Sequence, residues 1–395
     1  MKKYSLKFSL TLMLLASALT CLVLALTVGR GLGLFGGRFD DVREYAAILR
    51  KIDELYIGNY DPAEISGAAM TAAVDALGDR WSQYMTPREY EMYLDYSNNR
   101  FAGIGVGVVA DEETGGIGIS YVYRGSPADA AGIVAGDVIT GIDGNDITNI
   151  GIDEMRTLLA RPIGDTVELT VLRADGSVEL LIAVYSYVFT DPVICEMLDG
   201  DIGYIIISNF DLGAAESFIT GAEGFLEQGA KAFVFDVRGN GGGRVSELTS
   251  MLDYLLPEGE IFVAVTRGGG EEIIMSDAST IDIPAVVLVD RYSFSAAEYF
   301  AAMLKEYGYA DVVGEQTTGK NRSQVTMPLP GGGALHISSG QYLTKNRVSL
   351  FDTDGLSPDH TVILTDDQFS LLTSGNLDKD ADPQLETALL LLKEK

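Results

Sequence analysis

The chain has 395 residues, more than a single hydrophobic core usually serves, so two or three domains are expected. Lys and Arg number 28 against 57 Asp and Glu, and a formal charge of −29 repels a phosphate backbone, which excludes nucleic acid as a partner. Cys21 and Cys195 leave no disulfide framework, His336 and His360 have no HExxH or CxxC around them, and Asp378, Asp380 and Asp382 lack the glycine and closing glutamate of a calcium loop, so no metal or other cofactor is expected.

Residues 1–7, MKKYSLK, carry Lys2, Lys3 and Lys7 and read as a cytoplasmic tail. From Phe8 to Val28 no charge interrupts the chain, enough to cross ~30 Å of hydrocarbon as a helix and longer than the apolar core of a cleaved signal peptide. The expectation is an uncleaved anchor through the lipid bilayer at 8–28, with the rest of a single-pass bacterial membrane protein outside the cytoplasm. Residues 29–39 follow as a glycine-rich spacer. Over 40–98, VREYAAILRKIDELY and ISGAAMTAAVDALG show helical spacing, and TPREYEMYL opens with Thr86 as cap and Pro87 as first helical residue, which predicts an N-terminal helical segment.

Over 99–188 the period changes to two. GIGVGVV, GIGISYVY, DVITGIDG and TVELTVLRADGSVELLIAV read as short strands, with PADAAG and IDEMRTLLA as helical pieces between them, a small mixed α+β module. FAGIGVGV and GSPADAAGIVAGDVITGIDG resemble a PDZ domain, and the resemblance covers the module. It implies that backbone amides of the loop Gly103, Ile104, Gly105 and Val106, centred on Ile104 and Gly105, receive a peptide's terminal carboxylate while the peptide adds as an edge strand. Arg161, at the end of the second helical piece, reads as an exposed surface arginine. From 189 to 395, IGYIIIS, KAFVFDVR, IFVAVTR and AVVLV alternate with helical stretches and DPQLETALLLLKEK closes the chain, a pattern of βα units around a largely parallel sheet.

YSFSAAEYFAAML, 292–304, sets Ser293 and Ser295 between a buried strand and a helix. Ser295 to Glu298 is a capping box, and the same position is where several hydrolases display a nucleophile beside free helix amides, so position alone leaves both readings open. A nucleophilic serine needs a proton acceptor. No GxSxG or SxxK occurs; His336 lies in a strand-like run, His360 in a loop, and neither has an evident acid partner. Lys320, in the glycine-containing loop TTGKNRSQ, is the other candidate, and burial must lower its pKa by ~3 units, roughly 4 kcal/mol, before it acts as a base near neutrality.

SFSAAE and TTGKNRSQ together resemble the SASASE-like and TFGKGSVQ-like stretches of the carboxyl-terminal processing, or tail-specific, proteases, matching at the serine, glutamate, glycine, lysine and glutamine. DVRGNGGG, 236–243, resembles that family's DLRNNPGG, and GLSPD, 355–359, its GIKPD-like segment. The resemblance runs from about residue 40 to the C-terminus. It implies a crotonase/ClpP-like α/β protease core carrying the PDZ domain as an insert, Ser295 as nucleophile, Lys320 as general base, Gln324 orienting the lysine, and an oxyanion hole from Gly242, with its neighbour Gly243, and Ala296. The implied partners are proteins or peptides with accessible C-termini, and oligomerisation is left open. Asn321 and Arg322 replace small residues beside the lysine, and an inward-pointing Arg322 bears on the efficiency of the site rather than on its identity. A cleavage-inactive PDZ binding protein at the cell surface, or catalysis with His336 as the base, are the competing expectations.

Overall fold

A computed structural model describes residues 13–21, 39–159 and 161–394. Of the expected anchor, residues 13–21 form a helix, α1, while 8–12 and 22–28 lie outside the described residues, as do the tail and most of the spacer. Among the described residues no helix is long and apolar enough to cross a membrane. The chain divides into two units, Met1–Ala69 and Met70–Lys395. The first holds α2 (Phe39–Leu55), and α3 (Pro62–Asp75) runs across the division.

In the second unit, β1 (Gln83–Met85) lies inside the stretch read as helical, followed by α4 (Pro87–Ser97). Thr86 caps α4 as expected, in a capping box with Glu89 and with Pro87 at its start. β1 pairs with β18 (Ala334–Leu343), Gln83 opposite His336, so this part of the stretch belongs to the second unit's core.

The module after α4 stands on a two-stranded ribbon, β2 (Arg100–Gly103) with β9 (Ser186–Phe189). Its main sheet is antiparallel in the order β3 (Val106–Ala110), β4 (Ile117–Val122), β5 (Val138–Ile142), β7 (Thr166–Leu172), β8 (Val178–Val184), with β6 (Asn145–Asp146) on β5. Two short helices, α5 (Pro127–Ala130) and α6 (Ile152–Leu159), complete it around a separate core that includes Ile104, Ile139, Val167 and Leu169. Arg161 differs from expectation: it pairs with Asp143 and donates to the Thr166 carbonyl at 3.0 Å, and these contacts leave most of its side chain covered.

The rest of the unit is built on a six-stranded sheet, β10 (Val193–Leu198), β11 (Ile202–Ile207), β12 (Ala232–Asp236), β15 (Ala285–Val289), β16 (Ala310–Gly314), β19 (His360–Thr361), parallel except at β10. Alternate strand residues serve opposite layers. Phe233, Phe235 and Val287 pack beneath α7 (Ala214–Glu227), α8 (Val245–Leu255) and α9 (Ala296–Glu306), whereas Val234, Val286 and Leu288 meet Leu385, Ala388 and Leu392 of α11 (Pro383–Glu394). Burial on both faces explains why these strands read as unbroken apolar runs. A second, antiparallel sheet contains β1, β18, β13 (Gly259–Thr266), β14 (Glu271–Ser276) and β17 (Arg322–Pro328). IFVAVTR of β13 belongs here and not to the parallel series. α10 (Asp366–Thr373) precedes the closing helix.

Candidate active site

Three neighbouring parallel strands deliver the loops that carry the expected site. DVRGNGGG leaves the carboxyl end of β12, Ser295 follows β15, and Lys320 follows β16. Loops at adjacent carboxyl ends of a parallel sheet converge whatever their separation in sequence. Here Ser295, Lys320, Gln324, Gly242 and Gly243 line one cleft of about 500 Å³.

Ser293 is structural. It is wholly buried, its hydroxyl donates to the Val237 carbonyl at 2.7 Å, and it accepts from the Asp290 amide at 3.0 Å. Ser295 stands at φ 59°, ψ −122°, a backbone conformation that costs a β-carbon-bearing residue on the order of 1–3 kcal/mol and is held by its surroundings. Glu298 supplies the hold. Its carboxylate, fully buried, accepts from the amides of Ser295 (3.0 Å), Lys320 (2.6 Å) and Gly319 (2.9 Å) and from the Thr317 hydroxyl (2.7 Å). The capping glutamate thus ties the serine turn to the lysine loop. Burial raises its carboxyl pKa, opposed by those bonds.

A β-carbon on Gly242 would come within 2.7 Å of Ser295 Cβ and 2.8 Å of the Ala296 amide nitrogen, so only glycine lets the loop approach this closely. The Gly242 amide donates to the Asn240 side chain at 2.7 Å. The amides of Gly243 and Ala296 have no hydrogen-bond partner among the described residues. Of the two glycines expected at this point, Gly243 is the one with a free donor.

Lys320 is 8% exposed, with its ammonium 4.5 Å from the centre of the Trp81 ring and 5.9 Å from that of Phe294. Burial pulls its pKa down to about 8, against the raising pull of Glu298 and Asp79, with Arg80 adding to the fall. Arg322 lines the same cleft and pairs with Asp79 at 2.9 Å. The Tyr342 phenol donates to the Lys320 carbonyl at 2.5 Å and lines the same cleft as Ser295. Gln324 reaches the cleft, but its amide donates to the Arg322 carbonyl (3.0 Å) and the Ser338 hydroxyl (3.1 Å), and no bond joins it to Lys320. His336 lies in the same cleft, bonded to the Thr326 hydroxyl at 2.8 Å; burial and then the Lys320 charge hold it below its ordinary pKa.

Sequence reasoning missed Trp81, Asp79, Tyr342 and the buried Asp211 of the cleft. Trp81 is the single tryptophan of the chain, a signal in itself, but its partners lie more than two hundred residues away and no spacing reveals them. In the module, the carbonyls of Ile104 and Gly105 accept from the Ala128 amide (2.8 Å) and the Tyr123 amide (3.0 Å), while the amides of Ile104 and Gly105 carry no bond among the described residues. Beside this loop, β3 is an edge strand, with α6 along it.

A profile of peptidase family S41 matches residues 201–362, and a PDZ domain profile matches residues 118–173. Residues 201–362 are therefore similar to peptidase family S41. The module that holds residues 118–173 is a PDZ domain. Among curated relatives, the carboxy-terminal processing protease CtpA of Bacillus subtilis is 28% identical across 73% of this chain and 62% of its own length. The carboxyl-terminal-processing protease of a Synechocystis species is 27% identical across 82% of this chain and 76% of its own. A solved Bacteroides fragilis structure described as an S41 protease shares the fold, with a TM-score of 0.55 and 18% identity over 86% of this chain and 92% of that one.

Proposed function

We propose that the chain is a membrane-anchored, extracytoplasmic serine endopeptidase that cleaves proteins recognised through their C-termini by the PDZ domain. The observation that carries the catalytic reading is the meeting of Ser295 and a desolvated Lys320 in one cleft beside two unpaired backbone amides. The Ser295 hydroxyl gives its proton to the neutral amine of Lys320 as its oxygen bonds to the scissile carbonyl carbon. The amides of Gly243 and Ala296 receive the oxyanion, donors of a kind worth roughly 3–4 kcal/mol of barrier. Collapse breaks the C–N bond, Lys320 returns the proton to the leaving amine, and a water deprotonated by the same lysine releases the acyl group. Gln324 orients the lysine once its side chain turns toward it. Anchoring rests on the apolar run 8–28 and the lysines before it.

Gln324, bonded away from Lys320, favours a second reading, a cleavage-inactive PDZ binding protein. Incubating the full chain with an unfolded protein ending in apolar residues, and mapping cuts by mass spectrometry, separates the two. Wild type is expected to cut, and Ser295→Ala and Lys320→Ala to lose at least about 1,000-fold in kcat while remaining folded. No cuts by wild type supports the binding protein, and full activity in Lys320→Ala moves the base to His336.

A further inference from the structure

One wall of the cleft is unused by the chemistry above. It is made by α4, which sets Tyr90, Tyr93, Leu94 and Tyr96 along the side facing Ser295. At its end sits Asp211, 5% exposed, whose carboxylate has no hydrogen bond or ion pair among the described residues. A buried carboxylate normally has its lone pairs satisfied, and one left open on a cleft marks a place where a ligand completes the set.

The backbone fixes Asp211 beside the oxyanion loop. The Phe210 amide donates to the Gly242 carbonyl at 2.8 Å, and the Arg244 amide donates to the Phe210 carbonyl at 2.6 Å. The next residue, Leu212, donates to the Ser97 carbonyl at 3.4 Å, so Asp211 is held between Gly243 and the carboxyl end of α4. The charged groups facing it are Arg244, Glu247 of α8 and the Tyr96 phenol. Arg244 is engaged elsewhere, donating to the Ser97 carbonyl (2.7 Å) and the Asn98 side chain (3.0 Å). The nearest guanidinium therefore does not neutralise the aspartate by contact.

We propose that Asp211 and the tyrosine wall form a substrate subsite for a lysine or arginine side chain at one position flanking the scissile bond. The rings cover the aliphatic stem and present their faces to the cation, the carboxylate meets its end, and the carboxyl terminus of α4 favours positive charge there. The inference rests on the protease reading and deepens it by naming a substrate class. Burial pushes the Asp211 carboxyl up to about 6, with Arg244 opposing and Glu247 adding, so the subsite is charged at neutral pH and loses its charge in mild acid.

The test uses peptides that differ at each position flanking the cut, with lysine or with norleucine, which keeps the stem and lacks the charge. At pH 8 the full chain is expected to prefer lysine at one position by about 10- to 100-fold in kcat/KM, the range for a desolvated charge pair. The preference falls as pH drops through about 6 and disappears in Asp211→Asn, a variant of nearly unchanged shape. A parallel arm measures Kd of the same peptides by fluorescence anisotropy in Ser295→Ala, with and without Asp211→Asn, and needs no cleavage. Cleavage without a lysine preference, or a preference that survives Asp211→Asn, overturns the subsite and leaves the protease standing. If nothing is cut, the protease reading falls, and equal Kd for lysine and norleucine peptides then overturns the subsite as well.

Discussion

Trp81 illustrates how one side chain sets the chemistry of another. An indole face attracts an ammonium by roughly 0.5–2 kcal/mol, which favours the charged lysine, whereas stripping water from the same group favours the neutral one. Burial is the larger effect on Lys320, and its pKa lies at about 8. In the proposed mechanism the neutral amine is the working base, and its fraction grows as pH climbs through that value, so kcat/KM is expected to rise along an acid limb with an apparent pKa of about 8. Trp81→Ala admits water, returns the lysine toward its ordinary range, and moves the limb up by about 1–2 units, costing about 10- to 100-fold at pH 7 with activity recovered at high pH. A loss equal at every pH would mean that Trp81 only supports the fold.

Among the elements, β12, β15 and α9 were legible because continuous apolar runs and an alanine-rich stretch leave few alternatives to deep burial. Strand direction was not legible in β13, whose apolar run fits a parallel neighbour as well as the antiparallel partners β14 and β18 that it has. Nor was β1, three residues made a strand only by pairing with residues 334–336. The segments proposed to carry the serine, the lysine and the oxyanion donors stand out by motif resemblance, while Trp81 and Asp211 depend on contacts that no local pattern carries. Position 238 shows an element-scale consequence of the same kind. Arg238, 2% exposed at its side chain, donates to Asp236 (2.6 Å), Asp382 (2.8 Å) and Gln384 (2.9 Å), locking the start of α11 to the end of β12, where the oxyanion loop begins. Arg238→Met strands two buried carboxylates and is expected to cost about 3–5 kcal/mol in urea unfolding, partly restored by adding Asp382→Asn. An unchanged unfolding midpoint would show that the lock contributes nothing net.

At the scale of the molecule, the question is whether the PDZ domain governs what the cleft receives. Its ribbon is fastened close to the subsite: the Asn99 and Asn209 side chains bond to each other at 2.8 and 3.2 Å, Asn99 also reaches the Leu212 carbonyl at 3.0 Å, and the Thr190 amide donates to the Asn99 carbonyl at 2.8 Å. A domain held there and carrying two unpaired amides beside an open edge strand is suited to capture a chain end and feed the preceding residues to Ser295. If capture depends on the terminal carboxylate, amidating it removes the charge while leaving the cut site intact, and kcat/KM for an unfolded protein substrate is expected to fall about tenfold or more, chiefly through KM. Gly105→Val closes the same receptor from the other side, since a β-carbon there would sit 2.3 Å from Ser126 Cβ at a φ of +83°. In that variant the free and amidated substrates are expected to be cut at one reduced rate, while a peptide too short to engage the PDZ domain is cut as fast as by wild type. Equal loss on the short peptide would instead assign the effect to damage of the core, and an amidated substrate cut as fast as the free one by wild type would remove the carboxylate from recognition altogether.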